Sequence, residues 1–214
     1  MTLSKMEENR EYVTEFVEPH PMLMQYIADA QGLFVDFDGG RREFIDHDEW
    51  HYVPSELEQN IFLLRRLGER GLTKENNKVF DCGIGLATTM FDLYLQSQEI
   101  EDKTFEFSGV EKHERYTEYL KEKLLHYWEG NLTLIEGEIM DQDYSGYDIV
   151  YTYSPFKTEE KLMDFYNKIV SEVSTGCVIV ESRNCGKGFK DTLTKVQGLE
   201  EIEVDDIVVY RKIN

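Results

Sequence analysis

The spacing of hydrophobic and polar positions predicts strands that alternate with helices. Short apolar runs rich in β-branched and aromatic residues are separated by longer segments in which apolar residues recur at helical spacing. The predicted strands contain 79–80, 105–111, 131–137, 148–156, 176–181, 199–204 and 207–213. Helices are predicted at about 55–68, 88–96, 113–129 and 159–173, with a weak one at 189–196. This alternation is typical of a single α/β domain.

The first 51 residues do not follow that alternation. We predict two helical pieces over 1–31, broken at Pro19–Pro21. A hairpin is predicted over 32–45, where β-prone runs flank an Asp-Gly-Gly turn. The expected division is therefore an N-terminal helical and hairpin extension at 1–51 and a main domain at 52–214. The hairpin fits a lid over a substrate and a purely structural addition equally well.

Composition and charge narrow the possible partners. The chain has 214 residues, of which 41% are hydrophobic and 31% charged, and its net charge is −20. The proportions are those of a globular protein. A surface this acidic repels phosphate backbones, so nucleic acid is a less favoured partner than a protein or a small molecule. Solubility alone explains the acidity equally well.

Cysteine usage and hydropathy predict a reduced environment. The three cysteines, Cys82, Cys177 and Cys185, form no CxxC pair, so neither a disulfide framework nor a cysteine zinc site is expected. No apolar run approaches the roughly 20 residues that span a bilayer. The start of the sequence lacks the pattern of a secretory signal. We therefore expect a soluble, cytoplasmic protein without membrane partners, and its oligomeric state stays open.

Two histidines four residues apart suggest a metal site at first sight. His47 and His51 would share one face of a helix, as pairs of zinc ligands do. The segment ends at Val53-Pro54, however, and the His-Glu-x-x-His pattern is absent. We predict a loop here and no bound metal.

The most informative stretch is Lys78 to Tyr94, which predicts a strand, a glycine turn and a helix. Gly83 and Gly85 let backbone N–H groups approach a ligand at the helix N-terminus, where negative charge is favoured. A dinucleotide fingerprint would need a third glycine at Thr88. Two glycines also occur in ordinary tight turns, so the turn alone does not decide the function.

A carboxylate at the end of the next predicted strand changes that picture. Glu111 ends the strand at 105–111, and ligands of open parallel sheets bind outside the carboxyl ends of the strands. A carboxylate there can accept two hydrogen bonds from a ribose diol. The chain thus has an acid, a glycine turn and a second acid in this order, at Asp81, at Gly83 with Gly85, and at Glu111.

In this respect the chain resembles the class I S-adenosylmethionine (SAM)-dependent methyltransferases. The resemblance covers about residues 52–183, and Ala87 replaces the last glycine of the family's first motif. It implies a Rossmann-like, doubly wound and mostly parallel seven-stranded sheet with helices on both faces and an antiparallel C-terminal edge strand. It also implies SAM as cofactor, S-adenosylhomocysteine (SAH) as product, and Asp81, Gly83, Gly85 and Glu111 as cofactor-binding residues.

The resemblance extends to both ends of the cofactor. It places Glu138 where the family has an aspartate that accepts from the adenine amine, with Asp141 as the alternative. It places Tyr52 and Val53, just before a predicted helix, at the methionine end of the cofactor. Val53-Pro54 starts a helix equally well without any contact to a ligand.

The acceptor site implied by the resemblance is the end of the fourth strand. Tyr153, Ser154, Pro155 and Phe156 partly match the motif of methyltransferases that act on exocyclic amines. The same aromatic residues would also form a slot for a flexible amine such as lysine. In the alternative interpretation, Pro155 has no role in binding and only turns the chain into the next helix. Tyr153, Ser154 and Glu181 are the candidates for removing a proton from the acceptor.

The resemblance therefore predicts a methyltransferase that acts on an amine nitrogen of a protein, lysine-like, or of a small molecule. Methyl transfer from a sulfonium requires alignment and removal of water rather than a nucleophilic side chain or a metal. The alternatives are a nucleic-acid methyltransferase, a non-catalytic SAM-binding or scaffold protein, and a nucleotide-sugar or NAD-binding oxidoreductase. The missing third glycine at Thr88 counts against the oxidoreductase.

Overall fold

A computed structural model describes residues 16, 20–38, 60, 62–130, 132–153, 155–182, 192–204 and 207–214, with the backbone alone at 34–38, 207 and 208. The helices are α1 (Pro21–Asp38), α2 (Leu63–Glu69), α3 (Thr88–Gln98), α4 (Glu114–Tyr119) and α5 (Glu159–Glu172). The strands are β1 (Asn76–Cys82), β2 (Thr104–Glu111), β3 (Leu132–Glu136), β4 (Ile149–Thr152), β5 (Val178–Glu181), β6 (Leu199–Val204) and β7 (Ile207–Lys212).

The seven strands form one sheet in the order β3-β2-β1-β4-β5-β7-β6. β1 to β5 pair in parallel, and β7 runs antiparallel to both of its neighbours, β5 and β6. The predicted Rossmann-like fold is thereby confirmed. The antiparallel strand lies one place inside the sheet, because β6 and not β7 occupies the edge.

Two hydrophobic clusters cover the two faces of this sheet. Val79 and Tyr151 belong to the cluster shared with α1 to α4, whereas Phe80 and Val150 belong to the cluster shared with α5. Successive residues of a strand point to opposite faces, so β1 and β4 contribute to both clusters and are buried on both sides. The central strands therefore end at a rigid edge of the sheet, which we call the carboxyl edge.

The N-terminal extension packs into the first of these clusters. Leu23, Tyr26 and Ala30 of α1 are fully buried in it. Their spacing of three and four residues places them on one helical face. The hairpin prediction is wrong over 32–38, because this face continues to Leu33 and the chain stays helical through Asp38. The remainder of the predicted hairpin, 39–45, and the proposed boundary at 51–52 lie outside the described residues.

The helix predicted over 113–129 is interrupted. α4 ends at Tyr119 and continues as a π-helical turn, Leu120–Leu124, and a 3₁₀ turn, Leu125–Tyr127. Both leucines that bound the π turn are fully buried. The widened turn therefore directs two apolar side chains into the core. None of the described helices combines the length and apolar content that a membrane span requires.

Candidate functional site

The glycine turn connects β1 to α3 at the carboxyl edge. We use this name for residues 83–87. Gly83, Gly85 and Ala87 all have left-handed backbone conformations, with φ of 89°, 54° and 56°. Ala87 departs from the family's glycine at a cost of about 1–3 kcal/mol for a strained residue of this kind. The turn is thus built for a close backbone approach, even without its third glycine.

Backbone hydrogen bonds hold the glycine turn against β2. The N–H groups of Gly83 and Ile84 both donate to the Val110 carbonyl oxygen, at 3.1 and 2.9 Å. Gly109 lies directly below Ile84, where an added Cβ would be 2.5 Å from Ile84 Cδ1. The absence of a side chain at Gly109 therefore allows the turn to rest on the neighbouring strand.

Glu111 closes the site on the side of β2. Its side chain is buried, and its two oxygens accept from the backbone N–H groups of Gly85, at 3.0 Å, and His113, at 2.9 Å. Burial raises the pKa of this carboxyl, and the backbone hydrogen bonds together with His113 oppose that shift. Each carboxylate oxygen keeps a second lone pair for a ligand hydroxyl. The structure therefore brings Glu111 and the glycine turn together, as the sequence predicts.

Asp81 lies buried beneath this pair. It is the last but one residue of β1, and only 5% of it is exposed. Burial, and next the negative charge of Glu111, raise its pKa to about 8. Asp81 is consequently protonated in a large share of molecules at neutral pH, and the site holds fewer negative charges than the sequence suggests.

A buried polar group extends from Asp81 toward β5. Tyr151 of β4 is fully buried, and its hydroxyl donates to Asn60 Oδ1 at 3.0 Å. Burial raises the pKa of Tyr151, while hydrogen bonds with the side chains of Ser182, Thr89 and Asn60 oppose the shift. These polar residues link the first turn of α3 to the ends of β4 and β5. Their hydrogen bonds hold these three elements together beside the glycine turn.

The two acids that follow β3 are more exposed. Glu138 is half exposed, and its carboxylate lies 3.8 Å from Lys112 Nζ. Asp141 ends a short 3₁₀ turn and is also exposed. The hydroxyl of Tyr144 fixes this turn by donating to the Ile139 carbonyl oxygen at 2.7 Å. Glu138 thus lies beside the residue that follows β2, Asp141 lies three residues further along the chain, and the choice between them as adenine acceptor stays a prediction.

The predicted acceptor residues occupy different environments. Tyr153 and Pro155 are partly exposed after the end of β4. Phe156 is buried against Phe165 of α5, with 5.8 Å between the ring centroids. Glu181 is buried at the end of β5 and accepts from the Tyr166 hydroxyl at 2.7 Å. Phe156 thus faces the core, and Tyr153 is the aromatic residue that solvent reaches.

Some predicted site residues lie outside the described residues. Tyr52 and Ser154 are among them, as are the two histidines considered as metal ligands, His47 and His51. Within the part of the chain that the structure describes, no group of three or more His, Cys, Asp or Glu side chains could hold a metal ion.

Solved structures that superpose on this chain identify the fold. The SAH-bound methyltransferase PaMTH1 from Podospora anserina matches with a TM-score of 0.61 at 11% identity, over 97% of each chain. An RNA methyltransferase from Salinibacter ruber in complex with SAH matches with a TM-score of 0.50 at 13% identity, over 75% of this chain and 92% of its own. The chain has the fold of the class I SAM-dependent methyltransferases.

Similarity in sequence is more limited than this similarity in fold. A curated relative, carboxy-S-adenosyl-L-methionine synthase from Campylobacter fetus subsp. fetus (strain 82-40), is 32% identical over 113 residues. The match spans 50% of this chain and 44% of that protein. No protein-family model matches the chain.

In this methyltransferase fold, two features of the site escape the sequence-based prediction. Gly109 has a recognisable signal, since an isolated glycine in a strand often marks a close backbone approach. The polar group around Tyr151 has none, because Asn60 and Ser182 meet it from distant parts of the chain.

Proposed function

We propose that this protein is a SAM-dependent methyltransferase that binds SAM at the carboxyl edge of its sheet. The observation that supports this best is the hydrogen bond between the Gly85 N–H group and Glu111, at 3.0 Å. This hydrogen bond holds the glycine turn, whose backbone a ligand can approach closely, beside the carboxylate that is proposed to accept from the ribose hydroxyls. Structures of the same fold bound to SAH agree with this cofactor.

Each group at the edge has a distinct role in this proposal. Glu111 accepts from the ribose hydroxyls through its remaining lone pairs. Asp81 supplies a buried carboxyl beneath the glycine turn, and Glu138 or Asp141 accepts from the adenine amine. SAM supplies the activated methyl group, so the protein aligns the acceptor with the sulfonium and excludes water.

The proposed acceptor is an amine nitrogen of a protein or a small molecule. A net charge of −20 attracts a cationic amine and repels a nucleic-acid backbone. Tyr153, partly exposed just after β4, is the residue proposed to contact such a cation through its ring. Glu181 is buried at the end of the adjacent strand, opposite Thr152, and is the proposed acceptor of the proton that the ammonium must lose.

Transfer of a radiolabelled methyl group from SAM tests this assignment. Pools of peptides, small amines and RNA are incubated separately with the protein and labelled SAM. We expect labelled amines or lysine-containing peptides. Label found in RNA alone would show that the acceptor is a nucleic acid and not a protein or small-molecule amine. SAM binding without any methyl transfer would favour a non-catalytic role.

A second candidate function is modification of the cofactor itself. The 32% identity over 113 residues to a carboxy-S-adenosyl-L-methionine synthase favours it, although the match covers less than half of that protein. Mass spectrometry of SAM after incubation with the protein and a small-molecule extract would reveal a heavier adenosyl product. Unmodified SAM together with a methylated amine would exclude this candidate.

Replacing Glu111 by glutamine tests its role in the site. The amide nitrogen cannot accept one of the two backbone N–H groups that the carboxylate now binds. We expect SAH to bind more weakly by about 1.5–3 kcal/mol, the size of a hydrogen bond to a charged group. Calorimetric titration measures the change.

The matched control for this substitution is Glu136→Gln. Glu136 pairs with Glu111 across β2 and β3, but its side chain is half exposed and forms an ion pair with Lys121. We expect its loss to leave SAH affinity nearly unchanged. Equal affinities of wild-type protein and a folded Glu111→Gln variant would refute the proposed ribose contact.

A further inference from the structure

One tyrosine connects the N-terminal helix to the glycine turn. Tyr26 of α1 is fully buried, and its hydroxyl donates to the Leu86 carbonyl oxygen at 2.9 Å. The two residues are 60 positions apart in sequence. The N-terminal helix therefore reaches the backbone that the proposed function assigns to cofactor binding.

The Leu86 carbonyl lies outside the hydrogen bonds of helix α3. The first helical bond joins the Phe91 N–H group to the Ala87 carbonyl, at 2.8 Å. Within the turn itself, the Ala87 N–H group donates to the Ile84 carbonyl. Leu86 is fully buried, and a buried carbonyl without a partner is unfavourable. The Tyr26 hydroxyl therefore fixes the orientation of the peptide group that precedes Ala87.

Aromatic contacts hold the Tyr26 ring in place. It stacks on Phe91 of α3 with 4.2 Å between centroids and 14° between planes. Tyr127 packs edge-on against it at 5.5 Å. Tyr127 also donates its hydroxyl to Asp29 of α1 at 2.5 Å. Tyr26 is thereby anchored on α3 while its hydroxyl reaches the turn, and the Tyr127 bond attaches α1 without reaching the turn.

We propose that Tyr26 is a positioning residue for the cofactor site, acting through the Leu86 carbonyl on the left-handed conformation at Ala87. Ala87 is an alanine in a conformation that glycine adopts more readily, with φ of 56°. An external hydrogen bond at the preceding carbonyl stabilises that conformation. In consequence α1 contributes to ligand affinity without contacting the ligand, an inference that rests on the proposed function.

The test compares Tyr26→Phe with Tyr127→Phe. Phenylalanine keeps the ring contacts in both positions and removes one hydroxyl. We expect SAH to bind about three- to tenfold more weakly to Tyr26→Phe, the effect of one hydrogen bond. Backbone amides of the glycine turn should also exchange with solvent faster in this variant. Tyr127→Phe should change SAH affinity by less than about twofold while lowering thermal stability.

The outcomes separate this inference from the proposed function. If the wild-type protein binds no SAH, the proposed function is wrong. Faster hydrogen exchange of the backbone amides of the glycine turn in ligand-free Tyr26→Phe would still support the positioning role of Tyr26. Wild-type binding with unchanged affinity and unchanged exchange in Tyr26→Phe would overturn the inference. Equal weakening in both variants would also overturn it, because docking of α1 as a whole would then explain the effect.

Discussion

Gly109→Ala is expected to weaken SAH binding by tenfold or more while the variant still folds. A Cβ at this position would lie 2.5 Å from Ile84 Cδ1 and 2.9 Å from Ile84 Cβ. The branched Cβ of Ile84 is fixed to the backbone, so the glycine turn itself must move away from β2. Overpacking of this kind costs about 1–3 kcal/mol. Movement of the turn would also separate Gly85 from Glu111, which now share a hydrogen bond.

The matched control for this experiment is Gly146→Ala. No atom lies within 4 Å of a Cβ added at Gly146, and its φ is not in the left-handed region. Calorimetric titration with SAH and thermal unfolding should show a loss for Gly109→Ala and almost none for the control. Wild-type affinity in Gly109→Ala would mean that the contact of the turn with β2 is unimportant for binding.

Asp81→Asn is expected to remove a contribution to the pH dependence of stability that we predict for the wild-type protein between about pH 4 and pH 8. The pKa of Asp81 is about 8 in the folded protein and 3.8 in the unfolded reference. Between these values the folded state binds more protons, so its free energy of unfolding falls as the pH rises. The slope from this group approaches 1.4 kcal/mol per pH unit, and the total is on the order of 4–6 kcal/mol.

The difference between wild-type and variant isolates this contribution. We expect Asp81→Asn to gain stability relative to wild-type protein as the pH is raised from 5 to 8, because asparagine does not ionise. Asp164→Asn, at an exposed position of α5, is the control and should follow the wild-type protein. Denaturant unfolding at several pH values provides the measurement. Parallel pH profiles of wild-type protein and Asp81→Asn would contradict the burial of a protonated carboxyl.

The main domain could be predicted because its signals are local. β-branched runs between helical segments mark the parallel strands, and the glycines with Glu111 mark the carboxyl edge. The strands β6 and β7 also form at the strand-like runs predicted for 199–204 and 207–213. The buried strands β4 and β5 need continuous apolar sequence, so the pattern and the fold agree at these two strands.

The parts that the sequence did not reveal depend on contacts between distant residues. The hairpin prediction followed the turn signal of Asp38-Gly39-Gly40, whereas packing of Tyr26, Ala30 and Leu33 against the core keeps 32–38 helical. Tertiary burial overrides local turn propensity in this segment. The hydrogen bond from Tyr26 to Leu86 likewise spans 60 residues and leaves no periodic pattern.

The same limit applies to the predicted acceptor motif. Tyr153 to Phe156 is a continuous run in sequence, yet the chain directs Phe156 into the cluster with α5 and leaves Tyr153 partly exposed. The direction of each side chain depends on where β4 ends, at Thr152, which the apolar run to 156 did not indicate.

The most direct test of the account is calorimetric titration of the purified protein with SAM and SAH, with NAD as the control. We predict micromolar binding of both adenosyl ligands and no binding of NAD, because Glu111 and the glycine turn form one site suited to the ribose. A folded protein that binds neither adenosyl ligand would contradict it.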